Sequence, residues 1–221
     1  MHSIFSLEHS HQKALLEGVA LLSKCYWGPD ADFSRDLLRG IFSKPFEALK
    51  PIVRYEPRAT IDELKAIKAS FAGADEIFRY LEQAYVRLFI NSDGMIAPLY
   101  ASCYAAGSAP GVDAPLMGPP AVAMKERFES KALSLGDHIH EPPDHLSIEL
   151  EYLYFLLAKG WSDDDATLMD EAVTFAAETM LPWVIRFQQR LAAIETEGRF
   201  YQLTTAILCA LLRFIGATDS P

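Results

Sequence analysis

The chain has 221 residues, of which 50% are hydrophobic and 23% are charged, and this is enough apolar material for a substantial core. Its formal net charge of −10 argues against nucleic acid and against an anionic membrane surface as partners, because both require a basic face. The sequence therefore predicts a globular protein, and a cationic partner suits its charge better.

Apolar residues recur at helical spacing along almost the whole chain. The pattern is clearest from Ile77 to Phe89, where apolar residues at steps of one, three and four trace a single helical stripe. No alternating run bounded by hairpin turns competes with it, so we expect an all-α fold, a bundle of about ten helices. The predicted helices cover residues 7–26, 33–41, 61–73, 77–89, 121–133, 146–159, 165–180, 183–195 and 199–215.

Local signals predict where several helices begin and end. Asp32 is expected to cap the second helix, and Thr60 with Glu63 has the spacing of a capping box. Pro182 suits the first turn of a helix. Three glycines stand where a left-handed residue is expected to end a helix: Gly160, Gly198 and Gly216.

Two segments rich in helix breakers interrupt this pattern. Residues 91–120 hold five prolines and four glycines, with a short helical piece predicted near residues 99–106. Residues 136–145 form a second loop, a hinge between an N-terminal helical part (1–135) and a C-terminal helical part (146–221) that together form one compact domain. Loops of this length are more often functional than incidental, so the site is sought there.

The hinge loop concentrates three histidines and three carboxylates in ten residues. A metal site is one interpretation, but His140 and His145 are five residues apart with two prolines between them, which excludes the helical geometry of zinc peptidases. The other interpretation is a solvated hinge in which Asp144 caps the next helix and His145 lies in its first turn.

Signals for catalysis, covalent bridging and export are missing from the sequence. No nucleophile elbow, Walker loop or dinucleotide-binding motif occurs, so no catalytic residue and no cofactor is predicted. Cys25, Cys103 and Cys209 are far apart and are expected to be buried, reduced thiols. The N-terminus has no secretory pattern and no apolar run approaches a length of about 20 residues, which predicts a cytoplasmic protein.

Several short motifs follow one another in a recognisable order, and they resemble the TorD/DmsD family of molybdoenzyme maturation chaperones. The resemblance extends over roughly residues 85–215. The motifs are Tyr85-Val-Arg-Leu-Phe-Ile90, Ala97-Pro-Leu-Tyr100, Ser102-Cys-Tyr104, Leu116-Met-Gly118, Glu141-Pro-Pro-Asp-His145 and Met180-Leu-Pro-Trp183.

This resemblance implies an all-helical cytoplasmic chaperone that binds the twin-arginine signal peptide of a molybdenum-cofactor oxidoreductase and delays its export until the cofactor is inserted. The molybdenum cofactor then belongs to the client enzyme, and weak guanine-nucleotide binding is implied by the family. The family includes monomers and dimers that exchange halves across the hinge. The peptide-binding residues that it implies are Tyr85, Leu88, Phe89, Pro98, Tyr100, Pro142, Asp144 and His145.

The chemistry of a twin-arginine leader agrees with this assignment. Two guanidinium groups ahead of an apolar stretch require carboxylates beside a hydrophobic groove. Asp137, Glu141 and Asp144 are the candidate carboxylates, with the arginines expected near the Asp144 loop. The apolar stretch is expected to bind, as a helix, along three hydrophobic residues: Leu88, Phe89 and Tyr100.

Alternatives remain at this point. Periodicity alone favours Tyr85, Leu88 and Phe89 as core residues rather than as a groove. A second candidate function is an assembly factor that binds the mature catalytic subunit, as related nitrate-reductase chaperones partly do. A third is a metal- or nucleotide-dependent enzyme that uses the cluster at residues 137–145.

Overall fold

Helices make up almost all of the regular structure. The computed structural model describes residues 3–55, 60–90, 95–104, 116–137, 139–194 and 199–217, and these ranges contain no β-strand. They contain ten α-helices, which confirms the predicted all-α bundle. In chain order the helices are α1 (His9–Trp27), α2 (Ala31–Leu38), α3 (Lys44–Leu49), α4 (Thr60–Ala69), α5 (Ala74–Tyr85), α6 (Pro119–Ser130), α7 (Leu146–Asp163), α8 (Ala166–Thr174), α9 (Leu181–Ala192) and α10 (Arg199–Ile215).

Shorter helical turns extend or connect these helices. Val86–Ile90 is a π-helical continuation of α5, and Phe175–Met180 is a π-helical link between α8 and α9. Ile4–Ser6 and Ala101–Tyr104 are 3₁₀ turns, and the second of them falls in the first predicted loop. The turn Val86–Ile90 carries Leu88 and Phe89, two residues of the predicted site. Such π-helical turns are frequently found at functional sites.

Helix α10 is the most deeply buried element. Residues 203–212 are all buried, and eight of these ten residues are apolar. Its buried threonines have partners: the hydroxyl oxygens of Thr205 and Tyr26 lie 2.8 Å apart. Helix α10 packs against α9 and α4, and α1 packs against α7 and α3. One hydrophobic core therefore draws on residues from both sides of the hinge.

The cap of α2 differs from the sequence prediction. Asp30, not Asp32, is the N-cap, and its Oδ1 accepts a hydrogen bond from the Phe33 N–H at 2.6 Å. Asp30 is the last extended residue after Gly28 and Pro29, so its carboxylate lies over the open N–H groups of the first turn. The prediction that Asp32 caps this helix was wrong: Asp32 lies inside the first turn.

The end of α7 also differs from the prediction. Gly160 does not end this helix but is buried within it, where a Cβ would lie 2.7 Å from Met169 Sδ on α8. The missing side chain lets α7 and α8 approach closely. The left-handed residue that follows α7 is Asp164, with φ of 54°. Gly216 directly follows α10, but its φ is not positive, so the prediction of a left-handed residue there was wrong. A Cβ on Gly216 would lie 2.7 Å from the Ala177 Cβ, so close packing favours glycine at this position. Gly198 lies outside the described residues.

Other predictions agree with the structure. Pro182 lies in the first turn of α9, and Gly73 separates α4 from α5 as the expected break. All three cysteines are buried free thiols. No helix among the described residues has both the length and the apolarity to cross a membrane. The division at residues 136–145 and the exchange of halves across it stay predictions.

Replacing Asp164 by glycine is expected to stabilise the protein. An L-residue in the left-handed region is strained, whereas glycine adopts it freely, so Asp164→Gly is expected to raise the free energy of unfolding by about 0.5–1 kcal/mol. The matched control is Ser162→Gly, an exposed site inside α7, where glycine is expected to lower it by about 0.5 kcal/mol. Urea denaturation measures both, and a loss of stability in Asp164→Gly would contradict the assignment.

Candidate functional site

Hydrogen bonds join the two predicted loops into one unit, which we call the clasp (residues 99–102 and 144–146). The Ala101 N–H donates to the Asp144 carbonyl oxygen at 3.0 Å, and the Leu146 N–H donates to the Leu99 carbonyl oxygen at 2.8 Å. Tyr100 and His145 therefore face each other as a bridged antiparallel pair. The clasp brings together segments that are about 45 residues apart in sequence.

The Asp144 carboxylate completes the clasp. Its Oδ2 accepts a hydrogen bond from the Ser102 N–H at 2.7 Å, so it caps the turn Ala101–Tyr104 and not α7. The N-cap of α7 is His145, whose Nδ1 accepts from the Ser147 N–H at 3.2 Å. The predicted roles of Asp144 as cap and His145 as a first-turn residue were therefore wrong. A tight turn from Pro142, closed by the His145 N–H, leaves His145 as the last extended residue before the helix.

Five of the predicted peptide-binding residues are buried in this structure. Their side chains lie inside the protein, so their direct contact with a leader, and the approach of arginines to the Asp144 carboxylate, stay predictions. They pack and form hydrogen bonds beneath the surface, which the other four predicted residues reach. These five residues are Leu88, Phe89, Pro98, Asp144 and His145.

The remaining four predicted residues reach the surface. Tyr85, Tyr100 and Pro142 are half-buried, and Glu141 is exposed. The Tyr100 hydroxyl donates to Glu141 Oε2 at 2.6 Å, which ties the hinge loop to the clasp. Burial, and then the nearby charge of Glu141, raise the pKa of Tyr85. Tyr85, Tyr100 and Glu141 therefore share one part of the surface.

The stripe at the end of α5 is mainly core. Phe89 packs edge-on against Tyr85 and Tyr201, with ring centroids 5.0 Å apart in each pair. The Tyr85 hydroxyl donates to the Tyr26 carbonyl oxygen at 3.1 Å, and a Cβ on Gly28 would lie 3.5 Å from the Tyr85 ring. These contacts agree with the periodicity, which favoured core packing. They hold Tyr85 rigidly at the edge of the site.

Three aromatic rings form a row through the clasp, which we call the ring row (Trp27, His145 and Tyr100). The His145 ring stacks on Trp27 with centroids 5.0 Å apart and meets Tyr100 edge-on at 5.3 Å. Burial lowers the pKa of His145 to about 4. The ring is therefore neutral at physiological pH, which agrees with Nδ1 acting as an acceptor.

A second carboxylate bonds to the other end of the ring row. The Trp27 Nε1–H donates to Glu151 Oε1 at 2.7 Å, and the Ser23 hydroxyl donates to the same oxygen at 3.2 Å. Sequence analysis missed Trp27, Ser23 and Glu151. These residues are brought together only when α1 packs along α7, and no local spacing signals that contact.

A buried acid lies beneath the clasp. Glu149 Oε2 accepts from the Trp183 Nε1–H at 2.9 Å, while burial and the charge of Asp144 raise the pKa of Glu149 well above its usual range. Within the described ranges no three His, Cys, Asp or Glu side chains come together to hold a metal ion. His138, which belongs to the predicted cluster, lies outside those ranges, and Asp137 is exposed.

The chain is similar to one family model, to chaperone proteins of two bacteria and to one solved structure. Residues 56–189 match a family model described as nitrate reductase delta subunit. The chaperone protein TorD of Psychrobacter sp. (strain PRwf-1) is 35% identical over 142 residues, which span 62% of this chain and 60% of that protein. The chaperone protein TorD of Vibrio vulnificus (strain CMCP6) is 26% identical over 199 residues, which span 85% and 89%. A redox enzyme maturation protein from Archaeoglobus fulgidus has a TM-score of 0.45 at 18% identity, with 94% of each chain covered.

Removing the Asp144 carboxylate is expected to weaken the whole clasp. Asp144→Ala leaves the buried Ser102 N–H without its acceptor, so we expect a loss of about 1–3 kcal/mol in the free energy of unfolding. Asp137→Ala changes an exposed carboxylate of the same loop and is expected to shift stability by less than about 0.5 kcal/mol. Urea denaturation of the two variants tests this, and equal losses would contradict the role of Asp144.

Acid is expected to destabilise the fold through His145. The pKa of this side chain is about 4 in the folded protein against an ordinary value of 6.5. As pH falls from 6.5 to 4, only the unfolded chain takes up the proton, so stability is lost over this window, by at most about 3 kcal/mol. His145→Asn keeps a capping side chain and removes the titration. The stability difference between the wild type and this variant should shrink steadily over that window, and a constant difference would contradict the account.

Proposed function

The chain belongs to the TorD family of molybdoenzyme maturation chaperones, whose family model is described as nitrate reductase delta subunit, and we propose that it binds the twin-arginine leader of a molybdenum-cofactor oxidoreductase. In this role it acts in the cytoplasm without catalysing a reaction. It delays export of the client until the cofactor is inserted and the enzyme is assembled. The molybdenum cofactor stays with the client.

The observation that carries this proposal is the ring row with its flanking carboxylate Glu141. An arginine guanidinium binds best where a carboxylate accepts two of its N–H groups and an aromatic ring covers its plane. Tyr100 and Glu141 offer both groups at one place on the surface, fixed to each other by a 2.6 Å hydrogen bond. The net charge of −10 favours the approach of such a ligand.

The candidate residues fall into two groups, those that reach the surface and those that are buried. Tyr85, Tyr100, Glu141 and Pro142 contact the leader, because their side chains reach the surface. The buried residues act from beneath: they hold the clasp and the end of α5 in place. They are Leu88, Phe89, Pro98, Asp144 and His145.

The apolar stretch of the leader requires an exposed hydrophobic surface next to this place. Leu88 and Phe89 are buried, but Val86 and Ile90 on the same π-helical turn are exposed, Ile90 by 59%. The Ala97 N–H donates to the Leu88 carbonyl oxygen, which ties this turn to the segment that contains Tyr100. Val86 and Ile90 are therefore the surface along which the apolar stretch lies.

A second apolar surface supports binding of the mature catalytic subunit as a further role. Leu116, Met117 and Val122 are exposed at the start of α6, Met117 by 61%. Exposed neighbouring apolar side chains of this size are typical of protein interfaces. A client without its leader, retained by the wild type and lost with Met117→Ser and Val122→Ser, would support this role. Weak guanine-nucleotide binding and domain-swapped dimers stay predictions of the family resemblance.

Calorimetry with a synthetic twin-arginine leader peptide tests the proposed function. Glu141→Gln keeps an acceptor for Tyr100 but removes the charge, so we expect Kd to rise about fivefold, equivalent to about 1 kcal/mol. The matched control is Glu178→Gln, which removes an exposed carboxylate in the Phe175–Met180 segment and is expected to leave Kd unchanged. The proposal is contradicted if the wild type does not bind the leader, or if the two variants bind it equally well.

A further inference from the structure

The two ends of the ring row repeat the same arrangement. At one end the Tyr100 hydroxyl donates to Glu141 at 2.6 Å, and at the other end the Trp27 indole N–H donates to Glu151 at 2.7 Å. The buried His145 ring lies between the two outer rings, 5.0 Å from Trp27 and 5.3 Å from Tyr100. Each end therefore presents an aromatic ring with a surface carboxylate bonded to it.

We infer that Trp27 and Glu151 form a second guanidinium site, so that the ring row binds two neighbouring arginine side chains, one at each end. This inference rests on the proposed function and deepens it, because it explains why the ligand carries a pair of arginines. Trp27, Ser23 and Glu151 are its new residues. They belong to α1 and α7, away from the hinge loop.

Glu151 is held in place without losing its charge. Both of its hydrogen-bond donors, the Trp27 indole and the Ser23 hydroxyl, are neutral, and both bond to Oε1. The Oε2 atom takes part in neither bond, and the residue is exposed. By contrast, Glu171 is neutralised by Lys131 at 2.7 Å. Glu151 therefore presents an oriented negative charge to the solvent.

The ring types suit a cation at both ends. Indole is the aromatic group that attracts a cation most strongly, and Trp27 is only half-buried. His145 in the middle is neutral near pH 7, because burial depresses its pKa, so it does not repel arginine. The row thus has negative ends and an uncharged centre.

The directions of two neighbouring arginine side chains explain why two sites are needed. Consecutive side chains of an extended peptide point to opposite sides, so neighbouring guanidinium groups diverge. One carboxylate accepts a single bidentate guanidinium. Two carboxylates at opposite ends of three rings match two diverging arginines, whereas a carboxylate pair at one end would serve only one of them.

A calorimetric cycle with three peptides tests the inference. The peptides are a leader with both arginines and two versions in which either the first or the second arginine is replaced by lysine. The proteins are the wild type, Glu141→Gln, Glu151→Gln and the control Glu178→Gln. Glutamine keeps the acceptor for Trp27 or Tyr100, and thermal melting checks that each variant is folded.

We expect Glu151→Gln to weaken binding of the unmodified leader about fivefold. The affinity of this variant should no longer change when one particular arginine of the leader is replaced by lysine. Glu141→Gln should become insensitive to replacement of the other one. As a second variant, Trp27→Phe keeps a ring but loses the N–H that orients Glu151, and it should share the peptide profile of Glu151→Gln.

Three other outcomes would contradict the inference, and they differ in what they say about the proposed function. If Glu151→Gln binds all three peptides as Glu178→Gln does, while Glu141→Gln is weakened, the second site is wrong and the proposed function stands. If both glutamate variants lose sensitivity to the same arginine, the two-ended arrangement is wrong. If the wild type binds none of the peptides, the proposed function fails and the inference fails with it.

Discussion

The hydrogen bond from the Ser102 N–H to the Asp144 carboxylate is the contact on which the candidate site depends. Both residues are buried, and a buried N–H without an acceptor is costly, so this 2.7 Å bond fixes the register of the clasp. The register places Tyr100 opposite His145, and His145 begins α7. Because α1 packs along α7, the same contact determines where Trp27 meets the His145 ring. The ring row therefore follows from one buried carboxylate.

The candidate site contains two kinds of polar group, buried ones that hold the backbone in place and surface ones that can contact a ligand. Its buried polar groups, Asp144 and His145, bond to backbone N–H groups and define geometry. Its surface groups, Glu141 and Glu151, are charged and are each held by a neutral aromatic donor. Such an arrangement is preorganised, since the carboxylates are oriented before a ligand arrives and little side-chain freedom is lost on binding. A protein with an excess of acidic residues thus places one carboxylate at each end of the ring row.

The sequence predicted helices and core positions well, because they depend on local patterns. It did not predict contacts between helices that are distant in sequence. Periodicity predicted the bounds of α10 correctly as 199–215, and it favoured core positions for Leu88 and Phe89, because burial follows the repeat of a helix. Caps were less predictable: Asp144 is the usual type of N-cap residue, yet the backbone turn from Pro142 makes His145 the N-cap of α7. Glu151 was not predictable, because its contact with Trp27 spans 124 residues and arises from the packing of two helices.

Indole resonances offer the most direct measurement of where a leader binds. The chain has three tryptophans: the Trp27 N–H bonds to Glu151 at the surface, the Trp161 N–H to the Ile4 carbonyl oxygen, and the Trp183 N–H to buried Glu149. In a ¹H–¹⁵N titration with a twin-arginine leader peptide, the Trp27 indole peak should shift in proportion to binding while the other two stay in place. A leader that binds while the Trp27 peak stays fixed and the Trp161 or Trp183 peak moves would contradict the ring row as its site.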